Sequence, residues 1–319
     1  MITLPKEWAN SVGLKKNDTV GVQAQPDGTL LLYPRDTMPA PKRSTKVIDA
    51  TGVKDHSFFY RQLVGAYISG HTTILIKSVQ PISSSLMSVV TTFVQTAVGL
   101  EMIEADDSHV LIANLIEHDA IDPKKSIERM RILIKNMMHD LYEAAYAGDM
   151  KVIKDMSSRD TDVDRIYWLT ARQYNIYQRD ISAPNELGIP LHEMSGCFFM
   201  ARVLESVGDL LVSLSECLAS VEKGKEVDSA DENAHRIGLK TIDVLMAAVK
   251  SWTNTDITMA EQSLREAEKI IKEIDKNLFK NAEKSDSFTC SSEIAFFSSR
   301  RIAEHTMSIG EFAFNLAMK

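Results

Sequence analysis

Two pairs of acidic residues are the feature of this sequence that points most clearly to chemistry. Asp160 and Asp164 are four residues apart, and so are Glu205 and Asp209. In an α-helix this spacing places both side chains of a pair on one face. Four carboxylates brought together repel one another unless they take up protons, pair with cations or bind a metal ion. All-oxygen ligation favours iron(III), manganese or magnesium, whereas zinc more often recruits His or Cys.

The residues around the acids predict that both pairs point into the protein. The first pair shares its helical direction with Ile153 and Tyr167, and the second pair with Met194 and Phe198. The acids therefore interrupt rows of core residues rather than extend a solvent-facing row.

Ordinary salt bridges are the alternative to metal binding, because helical acid pairs are commonly ion-paired and solvated. Four arginines lie close enough in sequence to pair with the same acids. They are Arg159, Arg165, Arg172 and Arg202. Spacing alone leaves both alternatives open.

The elements that must position these acids are helices. From about residue 122 onward the hydrophobic pattern is helical and divides into six long segments. Long helices joined by short breaks predict antiparallel neighbours in a bundle. The breaks fall at Gly148-Asp149, at 183–185, near Gly224, at 253–255 and at 285–287.

The first three helices resemble the last three, which indicates a duplication. The segment 199–209 aligns with 298–308, and the segment 154–165 aligns with 265–276. In this alignment Asp275 corresponds to Asp164 and Glu304 to Glu205. Arg301 corresponds to Arg202.

The second repeat departs from the acidic pattern of the first. Ile271 stands where the first acid belongs, and Ser308 stands where the last one belongs. Glu268 and Glu311, on neighbouring turns, are candidates to replace them. We therefore expect one intact metal site in the first repeat and a degraded or weaker one in the second.

The N-terminal segment predicts a short helix followed by a β-hairpin. Pro5 suits a first helical turn, Gly13 suits a helix stop, and Pro26-Asp27-Gly28 separates two strand-like runs. Such a unit buries too little apolar surface to fold alone, so we expect pairing between chains in a homodimer.

The predicted fold class is mostly α, with two tandem three-helix bundles preceded by a small α/β domain and a β-hairpin module. The α/β domain is predicted to follow the order βαβαββ. The predicted domains are 1–36 for the hairpin module, 37–46 for a linker, 47–120 for the α/β domain, 121–224 for the first three-helix repeat and 225–319 for the second.

Composition narrows the function classes. With 44% hydrophobic and 25% charged residues the chain is of ordinary globular type, and no apolar run approaches the roughly 20 residues of a membrane span. Three widely spaced cysteines without a C-x-x-C pair fit core positions in a cytoplasmic protein. The net charge of −8 is divided into +3 for residues 1–46 and −11 for the remainder, so only the N-terminal segment suits DNA.

The acid pairs also support a family resemblance. DTDVD (160–164) and ESVGD (205–209), with the preceding Arg202, resemble the paired (E/D)-x-x-x-D motifs of the PhoU family of phosphate-uptake regulators. RRIAEHTMSIGE (300–311) is similar to that family's closing helix, and the resemblance covers about residues 122–317. It implies a regulator without enzymatic activity that binds the ATP-binding subunit of a phosphate ABC transporter or a sensor protein. It also implies metal clusters, usually iron or zinc, held by Asp160, Asp164, Glu205 and Asp209, with Asp275 and Glu304 in the second repeat.

A second resemblance covers the N-terminus. ITLPKEWANSVGLKKNDTVGV resembles the AbrB/SpoVT swapped-hairpin domain, in which two chains interleave to form one DNA-binding unit. Lys6, Lys15 and Lys16 are then the candidate contacts to DNA phosphates. That family normally has a further strand before the Leu-Pro pair, so the module is expected either to be clipped or to continue upstream. DNA binding and dimerisation both remain open for it.

Two rival functions follow from the same residues. One is a DNA-binding transcriptional regulator in which residues 1–36 bind DNA and the bundle senses metal. The other is a carboxylate-bridged metal enzyme, which requires the E-x-x-H motif twice. Glu232–His235 is one such motif and no second one follows, so the enzyme is disfavoured. His192 and His305 are expected to be packing or surface residues.

Overall fold

The computed structural model describes residues 3–24, 28–34, 44–116, 120–179, 189–221, 232–282 and 290–318. Its N-terminal elements are α1 (Lys6–Ser11), β1 (Val20–Ala24) and β2 (Leu30–Pro34), with the two strands paired antiparallel. Gly13 follows α1 with a φ of +76°, a conformation that glycine adopts without steric cost. The predicted helix and hairpin are confirmed, although Pro26 and Asp27 of the predicted turn lie outside the described residues.

A four-stranded sheet with two helices follows the hairpin, in the predicted order βαβαββ. The sheet order is β3-β4-β6-β5, and β3 runs parallel to β4 because a helix connects them. Asp55 and Ser83 cap the two helices by accepting a backbone N–H bond in the first turn. β3 begins inside the predicted linker 37–46. The elements are β3 (Thr45–Asp49), α2 (His56–Ile68), β4 (Thr73–Lys77), α3 (Ser84–Thr96), β5 (Leu100–Ala105) and β6 (His109–Asn114).

Six long helices make up the rest of the described chain, as predicted. Gly148, with a φ of +71°, ends the first of them, and Asp149 accepts the Lys151 N–H at 3.0 Å to start the second. The predicted breaks at 183–185, Gly224 and 285–287 lie outside the described residues. The helices are α4 (Pro123–Ala147), α5 (Met150–Arg179), α6 (Leu191–Val221), α7 (Glu232–Asn254), α8 (Ile257–Ala282) and α9 (Cys290–Ala317).

One continuous hydrophobic core joins all six helices. α4 packs against α7, and α9 packs against α7 and α8. The fully buried Tyr142 of α4 shares a 2.7 Å hydrogen bond with Ser299 of α9. The two helical triplets therefore stabilise each other through a shared core.

The chain forms two compact units that divide it differently from the predicted domains. One unit contains residues 1–122 together with 172–196, and the other contains 123–171 together with 197–319. In the first unit, side chains from the end of α5 donate hydrogen bonds to the last carbonyls of α2, which have no partner within their own helix. The bonds are Arg172 Nη1 to Tyr67 O at 2.6 Å, Asn175 Nδ2 to Ile68 O at 3.1 Å and Arg179 Nη1 to Ser69 O at 2.7 Å.

The cysteines follow the sequence prediction only in part. Cys197 is fully buried in the bundle core. Cys217 is exposed, so the prediction of a core position was wrong for this residue, which lies on the outer face of α6. Among the described helices, none combines the length and apolarity that crossing a membrane requires.

Candidate metal site

Helices α5 and α6 bring the two acid pairs together. Asp160 lies against Gly208, the residue that immediately precedes Asp209 on α6. A Cβ atom at position 208 would stand inside van der Waals contact of the Asp160 carboxylate. Glycine at this position therefore lets a carboxylate on one helix approach the backbone of the next.

Asp160 has a buried carboxylate with one oxygen that is unpaired in the described part of the chain. Its side chain is 8% exposed, and its Oδ1 has no hydrogen-bond partner among the described residues. Burial, reinforced by the charges of Asp209 and Glu205, raises the pKa of Asp160 to about 6. The ionised form is thus disfavoured unless a cation is near.

Asp164 is in the same situation one turn along α5. Burial raises its pKa to about 7, and the charges of Asp160 and Asp209 act in the same direction. Asp160 lies against Gly208 of α6, so the acids of α5 face the helix that carries Glu205 and Asp209. The prediction from spacing that the pairs converge is in agreement with these contacts.

Glu205 is held by an arginine. Its Oε2 accepts a hydrogen bond from Arg202 Nη1 at 2.6 Å, and the guanidinium lies 5.6 Å from the centre of the Tyr167 ring. Tyr167 in turn stacks on Phe198 at 6.5 Å. The pKa of Glu205 is nevertheless raised, mainly by burial and then by Asp209, with Arg202 opposing. One arginine therefore does not neutralise the cluster.

The donors fit a hard cation in chemistry and in charge. Asp160 and Glu205 are buried, Asp164 is half-buried and Asp209 is exposed, so the cluster has an inner end and an open end. Within the described ranges no three His, Cys, Asp or Glu side chains are already arranged as a set that could hold a metal ion. Ligation of a metal ion would therefore require these carboxylates to rotate toward one another.

The salt-bridge alternative is correct for one of the four arginines that sequence proximity suggested. Arg202 pairs with Glu205, as described above. The other three are directed elsewhere. Arg159 pairs with Asp140 at 2.9 Å, Arg165 with Asp162 at 3.5 Å, and Arg172 donates to the Tyr67 carbonyl.

The second repeat brings Asp275 and Glu304 together around an arginine. Arg300 Nε lies 3.0 Å from Asp275 Oδ1, and Arg300 Nη1 bonds Glu304 Oε1. Arg301 Nη1 donates to the other oxygen of Glu304 at 2.8 Å. These two predicted metal ligands therefore form an ion-paired network.

The remaining candidates lie apart from both clusters. Glu268 is exposed and pairs with Lys272 at 3.9 Å. Glu311 lines an open pocket that also contains Glu261. His235 pairs with Glu143 at 3.0 Å. None of these contacts directs a ligand toward the acids of α5 and α6.

The predicted DNA contacts and histidines are at the surface or partly buried. Lys6 lies at the start of α1, Lys15 and Lys16 lie in the turn before β1, and all three are exposed. His192 is exposed and His305 is half-buried, in line with the expectation of surface or packing positions.

Two residues of the carboxylate clusters, Gly208 and Arg300, were not predicted from the sequence. Gly208 belongs to the ESVGD segment, but the close approach of Asp160 that it permits depends on how α5 and α6 pack. Arg300 precedes Arg301 in the sequence and aligns with Ala201 of the first repeat. This difference between the repeats is the sequence feature that could have identified Arg300.

Fold and site together define a protein whose described part contains a six-helix bundle with a partly buried carboxylate cluster, preceded by a small α/β region and a β-hairpin. Residues 127–218, which span α4, α5 and α6 and contain all four acids of the first repeat, match the family model of the PhoU domain. Residues 1–40 match the model described as antidote-toxin recognition MazE, bacterial antitoxin. No curated protein matches the chain. These two matches agree with the family resemblances inferred from the motifs at 160–209 and at the N-terminus, whereas the second three-helix repeat lies outside the matched residues.

Proposed function

We propose that this protein is a cytoplasmic, metal-binding regulator of phosphate uptake that acts through contacts with other proteins. The observation that carries the proposal is the convergence of Asp160, Asp164 and Glu205 inside a PhoU domain, with the Asp160 Oδ1 buried and unpartnered among the described residues. Uncompensated carboxylates are retained in a core when a cation offsets their repulsion.

The acids divide the task of holding a cation. Asp160 and Glu205 form the inner part of the cluster, and the exposed Asp209 offers a first contact from solvent. Asp164 completes the set from the next turn of α5. A bound metal ion supplies the positive charge that allows these groups to ionise together at neutral pH. The PhoU resemblance implies iron or zinc, whereas the all-oxygen donors favour iron(III), manganese or magnesium.

Elemental analysis of the purified protein tests the site. The native protein should carry metal, and an Asp160→Ala/Asp164→Ala variant should carry none. Asp162→Ala is the matched control, because Asp162 lies on the same helix but pairs with Arg165 at the surface. Equal metal in native protein and double variant would refute the site assignment.

A pull-down tests the regulatory role. In high phosphate the native protein should retain the ATP-binding subunit of a phosphate ABC transporter or a sensor protein. The Asp160→Ala/Asp164→Ala variant should lose that partner, while Asp162→Ala keeps it. Recovery of no phosphate-transport component by the intact, metal-loaded protein contradicts the proposal.

DNA binding through residues 1–36 is the second candidate function. It is favoured by the match of residues 1–40 to an antitoxin model and by the net charge of +3 over residues 1–46. A gel shift repeated at several salt concentrations tests it. Replacing Lys6, Lys15 and Lys16 by glutamine should reduce the slope of log K against log salt by about 0.9 for each DNA phosphate that the variant no longer neutralises. An unchanged slope excludes these lysines as the groups that bind the phosphates.

Homodimerisation is proposed for the same module. Val22 and Leu30 of the hairpin are 57% and 54% exposed, and a second copy of the hairpin is the surface that would cover them. Light scattering should give twice the chain mass for the native protein. Charged substitutions at Val22 and Leu30 should shift the measured mass toward that of one chain.

A further inference from the structure

The two repeats share an arginine–glutamate contact that supports the alignment made from their sequences. In each repeat a glutamate accepts a hydrogen bond from the arginine three residues before it. Arg202 donates to Glu205 at 2.6 Å, and Arg301 donates to Glu304 at 2.8 Å. The position before each of these arginines can therefore be compared directly.

That position differs in a way that changes the charge of the site. In the second repeat it is Arg300, whose guanidinium joins Asp275 of α8 to Glu304 of α9. In the first repeat it is Ala201, which is fully buried. Asp164 and Glu205 are the counterparts of Asp275 and Glu304. They therefore lie near each other without this guanidinium between them.

The neighbours of this position change together with it. In the first repeat Gly208 leaves room for the Asp160 carboxylate. In the aligned positions of the second repeat Met307 replaces the glycine and Ile271 replaces the aspartate, and both pack against the hydrophobic core. The aspartate and the glycine of the first repeat are thus replaced by two apolar residues in the second.

We propose that the Arg300 guanidinium is the resident cation of the second repeat and that it excludes metal from Asp275 and Glu304. This inference rests on the proposed metal site of the first repeat. A guanidinium remains protonated at all physiological pH values and offers several donors in a fixed plane, so it satisfies two carboxylates without an exogenous ion. Metal binding is then confined to the first repeat, and both acids of the second repeat stay paired with the Arg300 guanidinium.

A manganese titration tests the inference in a background that lacks the first site. Bound Mn²⁺ is measured by electron paramagnetic resonance in the Asp160→Asn/Asp164→Asn protein, alone and with Arg300→Gln, Arg300→Lys or Arg301→Gln added. The background and the Arg300→Lys protein should bind no Mn²⁺ specifically. Arg300→Gln should bind Mn²⁺ at least tenfold more tightly than any residual binding of the background, and this binding should vanish when Asp275→Asn/Glu304→Gln is added. Arg301→Gln is the matched control and should create none, because Arg300 is still in place.

The outcomes separate this inference from the proposed function. If the native protein itself binds no Mn²⁺, iron or zinc, the first site is refuted. If the background retains metal that Asp275→Asn/Glu304→Gln removes, Arg300 does not exclude metal and the inference is wrong. Failure of Arg300→Gln to bind Mn²⁺, in protein whose thermal unfolding shows it to be folded, also overturns the inference.

Discussion

Asp160 and Asp164 are expected to destabilise the metal-free protein at neutral pH. Their pKa values are raised from 3.8 to about 6 and about 7, so the folded state binds protons more tightly than the unfolded state. The free energy of unfolding should therefore fall as the pH rises from about 4 through 7, with the penalty fully present above pH 7. One pKa unit corresponds to about 1.4 kcal/mol, so the two raised pKa values set an upper limit of about 7 kcal/mol on the combined effect.

Replacing both residues by asparagine should remove this loss. Metal-free Asp160→Asn/Asp164→Asn protein should be more stable than the native protein at pH 8 and no more stable near pH 4. Urea unfolding at several pH values, in the presence of a chelator, measures the difference. Asp162→Asn, on the exposed face of α5, should follow the native profile. If the free energy of unfolding depends on pH in the same way in the native and the doubly substituted protein, the raised pKa values do not belong to Asp160 and Asp164.

Gly208 is expected to control metal affinity more than stability. Its replacement by alanine brings a Cβ atom against the Asp160 carboxylate, which must move away from its neighbours on α6. The same change improves helix propensity by about 1 kcal/mol, which offsets part of the steric cost. Metal titration should show an affinity reduced at least tenfold, while the thermal unfolding temperature changes little. A loss of stability without loss of affinity would show that Gly208 serves packing alone.

The acids of the site could be predicted from sequence, whereas their environments could not. A spacing of four identifies Asp160, Asp164, Glu205 and Asp209 as two one-sided pairs. Burial of Asp160 and exposure of Asp209 depend on the rotation of α5 and α6 about their axes, which the packing of the whole bundle sets. The same applies to Arg300, because a guanidinium and two carboxylates combine only when two helices are in register.

At the scale of elements, a glycine on α7 marks where the two triplets meet. The Gly238 backbone lies against the Tyr142 ring of α4, so an alanine at position 238 would overlap the ring. Gly238→Ala should therefore destabilise the protein by about 1–3 kcal/mol, despite its better helix propensity. Chemical denaturation measures the change. Gly65→Ala is the control, because nothing lies near its Cβ position in α2, and it should be neutral or stabilising.

The order of helices and strands could largely be predicted from local sequence patterns. The order βαβαββ predicted for residues 47–120 is the order of the elements from β3 to β6. The attachment of the end of α5 to α2 was not predictable, because Arg172 and Tyr67 are separated by 105 residues and meet through a side chain and a carbonyl. Local patterns specify elements, and distant hydrogen bonds of this kind specify which elements group together.

At the scale of the whole molecule, the shared core predicts that metal bound in the first triplet stabilises the second. All six helices contribute to one continuous hydrophobic cluster, so opening of either triplet exposes core residues of the other. A ligand at a concentration a hundred times its Kd stabilises the folded state by about 2.7 kcal/mol, which slows globally controlled amide exchange about a hundredfold. Hydrogen exchange with and without Mn²⁺ should therefore show added protection in α7, α8 and α9 as well as in α4, α5 and α6. The Asp160→Asn/Asp164→Asn protein should show no such change. Protection confined to α4–α6 would mean that the triplets open independently, and the single core would then not act as one cooperative unit.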